Sequence, residues 1–153
     1  MDCEALLVPV DGSGSSRRAV ETAIALARAC EARIEYLYVA DLKDTLHQAE
    51  GRNQHHSVLE MAVEEGRQVL NDVLESTPAD VPARGRCVSG DPPQAIMRSL
   101  EEDGCDMVVM GTRGLGALEA AFLGSVSSYV LQHAACPVTL VKAEDGDEIF
   151  EEF

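Results

Sequence analysis

Apolar positions along the chain alternate between two periods. Ala5 to Val10 is a short unbroken apolar run that closes in Pro9-Val10-Asp11-Gly12, which predicts a buried strand and then a turn. From Ser13 to Ala32 the spacing becomes helical, with Ala19, Val20, Ala23, Ile24, Ala27 and Cys30 on one face. The small hydroxyl residues at its start offer an N-cap. Arg33 to Val39 predicts a second strand through Ile34, Tyr36, Leu37, Tyr38 and Val39. Residues 41 to 56 are polar and predict a loop with at most a short helical turn. The helical period returns from Ser57, through Leu59, Val63, Gly66, Val69, Leu70, Val73 and Leu74.

Pro78 and Pro82 punctuate the next connection, and Ala83 to Ser89 reads as a weak third strand. Asp91-Pro92-Pro93 marks a sharp helix start, with Asp91 as N-cap and Pro92 in the first helical position. Gly104 ends that helix after Asp103. Asp106 to Met110 is a strongly apolar strand, Gly111 to Gly124 is glycine-rich, Ser125 to Ala135 is helical, and Pro137 to Lys142 is a last strand. The order β-α-β-α-β-α-β-α-β predicts an α/β fold, an open parallel sheet with helices on both faces. We expect one domain over residues 1–142 and an acidic C-terminal tail over 143–153.

Composition narrows this picture. A chain of 153 residues suits one domain and buries about two-thirds of its unfolded surface, so it folds without disulfides. Trp is absent and aromatics are 4%, which leaves the core to Val, Leu, Ile, Ala and Met. The formal charge of −15, from 27 acidic and 12 basic residues, argues against nucleic acid, whose phosphates need clustered Lys and Arg, and against anionic membranes. The lysines are Lys43 and Lys142 alone, the other basic residues being arginines. An acidic, Lys-poor surface fits a saline cytoplasm, and it fits an acidic mesophilic protein equally. The five cysteines, Cys3, Cys30, Cys87, Cys105 and Cys136, form no CxxC pair, which argues against a zinc site or disulfide framework and for small core hydrophobes. Met1-Asp2-Cys3-Glu4 lacks the basic region of a signal peptide, and no apolar run approaches the roughly 20 residues of a membrane span. The expectation is a cytoplasmic protein.

The candidate chemistry lies in Gly111-Thr112-Arg113-Gly114, then nine residues, then Gly124-Ser125-Val126. Gly111 follows a strand, where glycine permits a sharp turn. Gly114 lets a phosphate approach main-chain N–H groups with no side chain in the way. Gly124-Ser125 opens the next helix, whose unpaired N–H groups and positive dipole end suit a phosphate. Ser125 can cap that helix and donate its hydroxyl to a phosphate oxygen. Other nucleotide loops fail. Walker A needs Lys-Ser/Thr after its last glycine, but Gly116 is followed by Ala117-Leu118. The dinucleotide fingerprint needs a third glycine where Gly12-Ser13-Gly14-Ser15-Ser16-Arg17 has Arg17.

The pattern Gly-x2-Gly-x9-Gly-Ser resembles the ATP-binding signature of universal stress proteins. Its flanks are similar too: Leu7-Val8-Pro9-Val10-Asp11-Gly12-Ser13, Asp106-Met107-Val108-Val109-Met110-Gly111, Leu123-Gly124-Ser125-Val126-Ser127 and His133-Ala134-Ala135-Cys136-Pro137-Val138. The similarity runs over residues 4 to 142. It implies a doubly wound sheet of order 3-2-1-4-5, whose switch point between strands 1 and 4 is where such sheets bind ligands. Asp11 closes strand 1 and Gly111 closes strand 4, so both motifs meet there. The resemblance implies that Pro9, Asp11 and Val39 line the adenosine end, with backbone near Val39 reading adenine. Met110, Gly111 and Gly114 would pack the ribose and first phosphates; Gly124, Ser125 and Val126 would hold the outer ones. Arg113 would add charge to a phosphate. Mg²⁺ would accompany ATP, with oxygen ligands. The resemblance also implies a homodimer through the edge strand 137–142.

Each residue has a plainer reading. The glycines can be structural turns, Asp11 an Asx-turn and Ser125 a simple cap; four motif blocks in the right order favour the ligand roles. His47, His55 and His56 lie in a polar segment without matching ligand spacing and read as solvated. Cys3 and Cys136 read as packed thiols before redox sensors. Residues 144–153 read as a solvated end, with Ile149, Phe150 and Phe153 leaving open a contact with a partner subunit. No Ser-His-Asp set or carboxylate pair is visible, and efficient turnover needs a placed base. The reading is an ATP-binding regulatory protein, a nucleotide-dependent dimeric switch with an unidentified protein partner. A slow ATPase or other nucleotide-processing enzyme, and a nucleotide-independent chaperone-like dimer, are the alternatives.

Overall fold

The computed structural model of the chain describes residues 2–43, 55–112 and 123–143. Among them the elements alternate as β1 (Ala5–Pro9), α1 (Gly14–Cys30), β2 (Arg33–Asp41), α2 (His55–Ser76), β3 (Ala83–Gly90), α3 (Pro92–Glu102), β4 (Met107–Gly111), α4 (Ser125–His133) and β5 (Val138–Val141). Every pairing is parallel, and the sheet order is β3-β2-β1-β4-β5. The fold is the single α/β domain expected.

Two cores sandwich the sheet because successive strand residues face opposite ways. Leu6, Val8, Ile34, Tyr36 and Val109 face α1 and α2, meeting Ala19, Val20, Ala23, Ala27 and Leu70. Leu7, Leu37, Val108 and Met110 face α3 and α4, meeting Ile96, Leu100 and Val130. With both faces covered, Leu6, Leu7 and Val8 are all fully buried, which is why β1 reads as a continuous apolar run.

Helix α1 starts as its hydroxyl residues predicted: Ser13 is the N-cap, and its Oγ accepts the Ser16 N–H at 3.2 Å. It ends at Glu31, which adopts a left-handed conformation (φ 57°) and turns the chain into β2. Cys30 occupies the last turn before that reversal and is exposed, so it does not belong to the apolar face assigned to it. The predicted loop over 41–56 is shorter at both ends: β2 continues to Asp41 and α2 begins at His55. His47 lies outside the described residues. Asp91 precedes α3 with Pro92 at its start, but its side chain makes no capping bond. Pro92 and Pro93 have no N–H to cap, and Asp91 Oδ1 lies 3.4 Å from Lys43 Nζ instead.

The amino edge of the sheet is tied by polar groups that the apolar pattern did not reveal. Asp106 Oδ2 accepts the N–H groups of Glu4 (2.8 Å) and Ala5 (3.0 Å), while the Asp106 N–H donates to the Ala5 carbonyl at 2.8 Å. Glu35 on β2 is buried, and its two oxygens accept Arg33 Nε (3.1 Å) and Arg84 Nε (2.6 Å). All five cysteines are free. Burial, aided by the Asp103 and Glu35 carboxylates, pushes the Cys105 thiol up to about 12, so it packs as a neutral group. Among the described residues no helix is long and apolar enough to cross a membrane.

Candidate functional site

At its carboxyl edge the sheet splits. The β1–β4 ladder covers only Leu6↔Met107 and Leu7↔Val108, although β1 runs on to Pro9 and β4 to Gly111. On the other flank β1 stays paired with β2 as far as Pro9↔Leu37, and the Val10 N–H donates to the Leu37 carbonyl at 2.9 Å. Amide directions alternate along a strand, so Val10 faces β2 and Pro9 faces β4. Pro9 has no N–H to continue that ladder. The cleft opens where helices cross from one face of the sheet to the other, the switch point of such sheets.

One wall follows β1. Gly12 turns the chain with φ 83°, a conformation that favours glycine. Asp11 Oδ1 accepts the Ser13 N–H at 2.9 Å, and the Asp11 N–H donates to Ser16 Oγ at 3.3 Å. The Asx-turn reading of Asp11 therefore holds geometrically, and it is compatible with a place on the cleft. Tyr38 of β2, read from the sequence only as a strand residue, packs on the α1–α2 side and feels the Asp11 carboxylate. Its phenol is pushed up first by burial and then by Glu65, Cys87 and Asp11, so it remains a protonated donor. Its ring packs on Gly66 of α2, where an added Cβ would lie 2.8 Å from Tyr38 Cε1 and 2.9 Å from Cys87 Sγ. Gly66 is thus a packing glycine.

The opposite wall follows β4. Gly111 ends the strand paired with Val141. Its glycine is required by close approach: an added Cβ would overlap Ser15 Oγ and lie 2.9 Å from the Ser15 backbone carbonyl carbon. That replaces the expected reason, a sharp turn, because the start of α1 packs directly on the end of β4. Thr112 is buried. Its N–H donates to the Val141 carbonyl at 3.0 Å, and its carbonyl accepts the Gly124 N–H at 2.7 Å and the Ser127 hydroxyl at 2.6 Å. The start of α4 is thereby pinned to the end of β4.

Gly124, not Ser125, is the N-cap of α4. Ser125 is the first helical residue and is exposed, so the capping role assigned to it falls away. The first helical bond is Ser128 N–H to the Gly124 carbonyl at 2.9 Å; the N–H groups ahead of it have no intrahelical acceptor, and Gly124 has no side chain to cap them. Val39, Met110 and Val126 belong to one apolar cluster, on the α3–α4 side. Pro9, Asp11, Gly111 and Gly124 are half-buried. Arg113 and Gly114 lie outside the described residues. Thr112 and Ser127 are the residues that sequence reading missed. Ser127 had a faint signal, a serine three residues before Val130 on the inward face of α4. Among the described residues no group of three or more His, Cys, Asp or Glu side chains is placed to hold a metal ion. The first-turn N–H groups of a helix such as α4 can take an anion.

Residues 4–142 match the model of the universal stress protein family. The universal stress protein MJ0531 of Methanocaldococcus jannaschii is 33% identical over 139 residues, spanning 90% of this chain and 81% of the relative. A universal stress protein of Thermus aquaticus is 34% identical over 139 residues, spanning 90% and 97%. Among solved structures, the hypothetical protein MJ0577 superposes with a TM-score of 0.84 at 22% identity, over 95% of this chain and all of its own. A universal stress protein in complex with cAMP gives 0.71 at 22%, over 94% and 100%. An Arabidopsis thaliana member of the family with AMP bound gives 0.66 at 22%, over 93% of each. At such identities these structures bear on the fold.

Proposed function

The chain belongs to the universal stress protein family, and from that membership we propose that it is an adenine-nucleotide-binding module whose occupancy is read by a second copy of the chain or by another protein. The observation that carries the reading is the start of α4, uncapped by Gly124 and pinned at the cleft where the β1–β4 ladder stops. Helix N–H groups and the positive end of the dipole suit phosphate. Support comes also from the relatives of like fold that hold cAMP or AMP. In this reading the ligand is ATP. Pro9, Asp11 and the backbone near Val39 take the adenosine end, Met110, Gly111 and Gly114 the ribose and first phosphates, and Gly124, Ser125 and Val126 the outer phosphates, with Arg113 adding charge. Mg²⁺ accompanies the triphosphate and offsets repulsion from a chain of charge −15. The working form is a cytoplasmic homodimer joined along the edge strand 137–142, with residues 1–142 as the binding domain and the acidic stretch beyond as a tail.

Titration calorimetry with Mg²⁺–ATP, AMP and cAMP, on the wild type and on Gly124→Leu, tests this. The expected result is micromolar binding of at least one nucleotide, weakened about tenfold or more by the substitution with the fold intact. A well-folded wild type that binds none of the three overturns the reading and favours the nucleotide-independent dimer.

A further inference from the structure

Ser127 sits at the base of the glycine-rich segment and is only 2% exposed. Its hydroxyl is 2.6 Å from the Thr112 carbonyl and 3.0 Å from the Gly124 carbonyl. A hydroxyl has one proton to donate, and the shorter, buried contact to Thr112 takes it. The same Thr112 carbonyl accepts the Gly124 N–H, while the Thr112 N–H is held by Val141 at the end of β5. Thr112 is therefore held through both its N–H and its carbonyl. Strand β4 ends at Gly111 and α4 begins at Ser125, so the two bonds to the Thr112 carbonyl join the end of the strand to the start of the helix.

We propose that Ser127 is a positioning residue for the polyphosphate of the bound nucleotide. It acts through the Thr112 carbonyl, setting the height and direction of the first-turn N–H groups of α4, and does not touch the ligand. The inference rests on the nucleotide-binding reading above. Its physical basis is the steep dependence of anion binding on donor placement: hydrogen bonds weaken sharply with misalignment, and the dipole acts only within the first turn. Without the hydroxyl, the Gly124–Thr112 bond is the hydrogen bond left between the start of α4 and the end of β4 among the described residues. The adenosine end is placed by other elements, Pro9 and Asp11 on the β1 side and Val39 on β2. The loss is therefore felt by the phosphates and spares the base.

The test compares Mg²⁺–ATP with adenosine on the wild type, Ser127→Ala, Ser127→Cys and Ser127→Thr, with thermal midpoints recorded beside each titration. Ser127→Ala is expected to weaken ATP about tenfold and adenosine less than about twofold. Ser127→Cys keeps the volume but is a weak donor, and is expected to behave as Ala even if the smaller side chain unsettles the fold. Ser127→Thr keeps the hydroxyl and is expected to recover ATP affinity. Parallel loss of ATP and adenosine, unchanged ATP affinity in Ala and Cys, or a folded Thr variant that stays weak overturns the positioning role while leaving the binding module standing. A wild type that binds neither ligand overturns the parent reading and this inference with it.

Discussion

The two edges of the sheet treat their polar groups in opposite ways. At the amino edge the chain satisfies itself: Asp106 takes two main-chain N–H groups, and Glu35 takes Arg33 and Arg84. Arg86 adds bonds to Ser99 Oγ (2.9 Å) and Asp103 Oδ2 (3.0 Å). At the carboxyl edge two helices begin beside one cleft, and they differ. The first turn of α1 is closed by Ser13 and by the Asp11 turn, whereas α4 begins at a glycine with no side chain to give. Buried polar groups are almost always paired. In the reading proposed above, this end of α4, without a side-chain cap among the described residues, is where the phosphates bind.

Breaking the closed edge has the largest expected effect. Asp106→Ala leaves the Glu4 and Ala5 N–H groups without their acceptor, and Ala5 is fully buried. Urea denaturation is expected to show a loss of about 2–3 kcal/mol, with nucleotide affinity unchanged in the folded protein. A change under about 0.5 kcal/mol would mean that water replaces the carboxylate and that the edge is less closed than its bonds suggest.

Closing the open edge is the converse experiment. Gly124→Asp puts a carboxylate where a cap and the helix dipole favour it, so the fold is expected to gain a few tenths of a kcal/mol. The same carboxylate occupies and repels the proposed phosphate position, and ATP affinity is expected to fall about tenfold or more. A gain in stability with undiminished ATP binding would place the anion elsewhere.

The smallest effect concerns alkaline pH. The folded Cys105 thiol, raised chiefly by burial, titrates at about 12 against an ordinary 9.0. Below the ordinary value both states are neutral, and the favourable contribution is fully present. As pH rises from about 9 towards 12 the unfolded chain ionises first, so stability is lost. Cys3, Cys87, Cys136 and Tyr36 shift in the same sense, each mainly through burial. Cys105→Val should therefore make the fall in thermal midpoint between about pH 9 and 11 shallower without abolishing it. An unchanged slope would show that this edge admits water when it titrates.

Much of the fold was legible because burial is written locally. A residue flanked by apolar neighbours at period 2 or 3.6 declares its face, and Leu6 to Val8, Ala19 to Ala27 and Val108 to Met110 all went where their spacing put them. Asp11, Gly111 and Gly124 were legible as a set through their order and spacing, and the tertiary structure places all three at the carboxyl edge. Reasons were harder to read than places. Gly111 is needed for Ser15, far back in the chain, and not for a turn. The cap of α4 is one residue earlier than Ser125, because a serine looks like a cap wherever a helix begins.

The sequence alone determined the alternation of strands and helices and the apolar faces, because transfer from water is a property of each side chain and its period. Only the tertiary structure decided which polar groups satisfy which. Asp106 with Glu4, Glu35 with Arg84 and Ser127 with Thr112 are pairs separated by 102, 49 and 15 residues. A hydrogen bond needs two groups within about 3 Å and in line, and that condition is met or missed only when distant parts of the chain have come together.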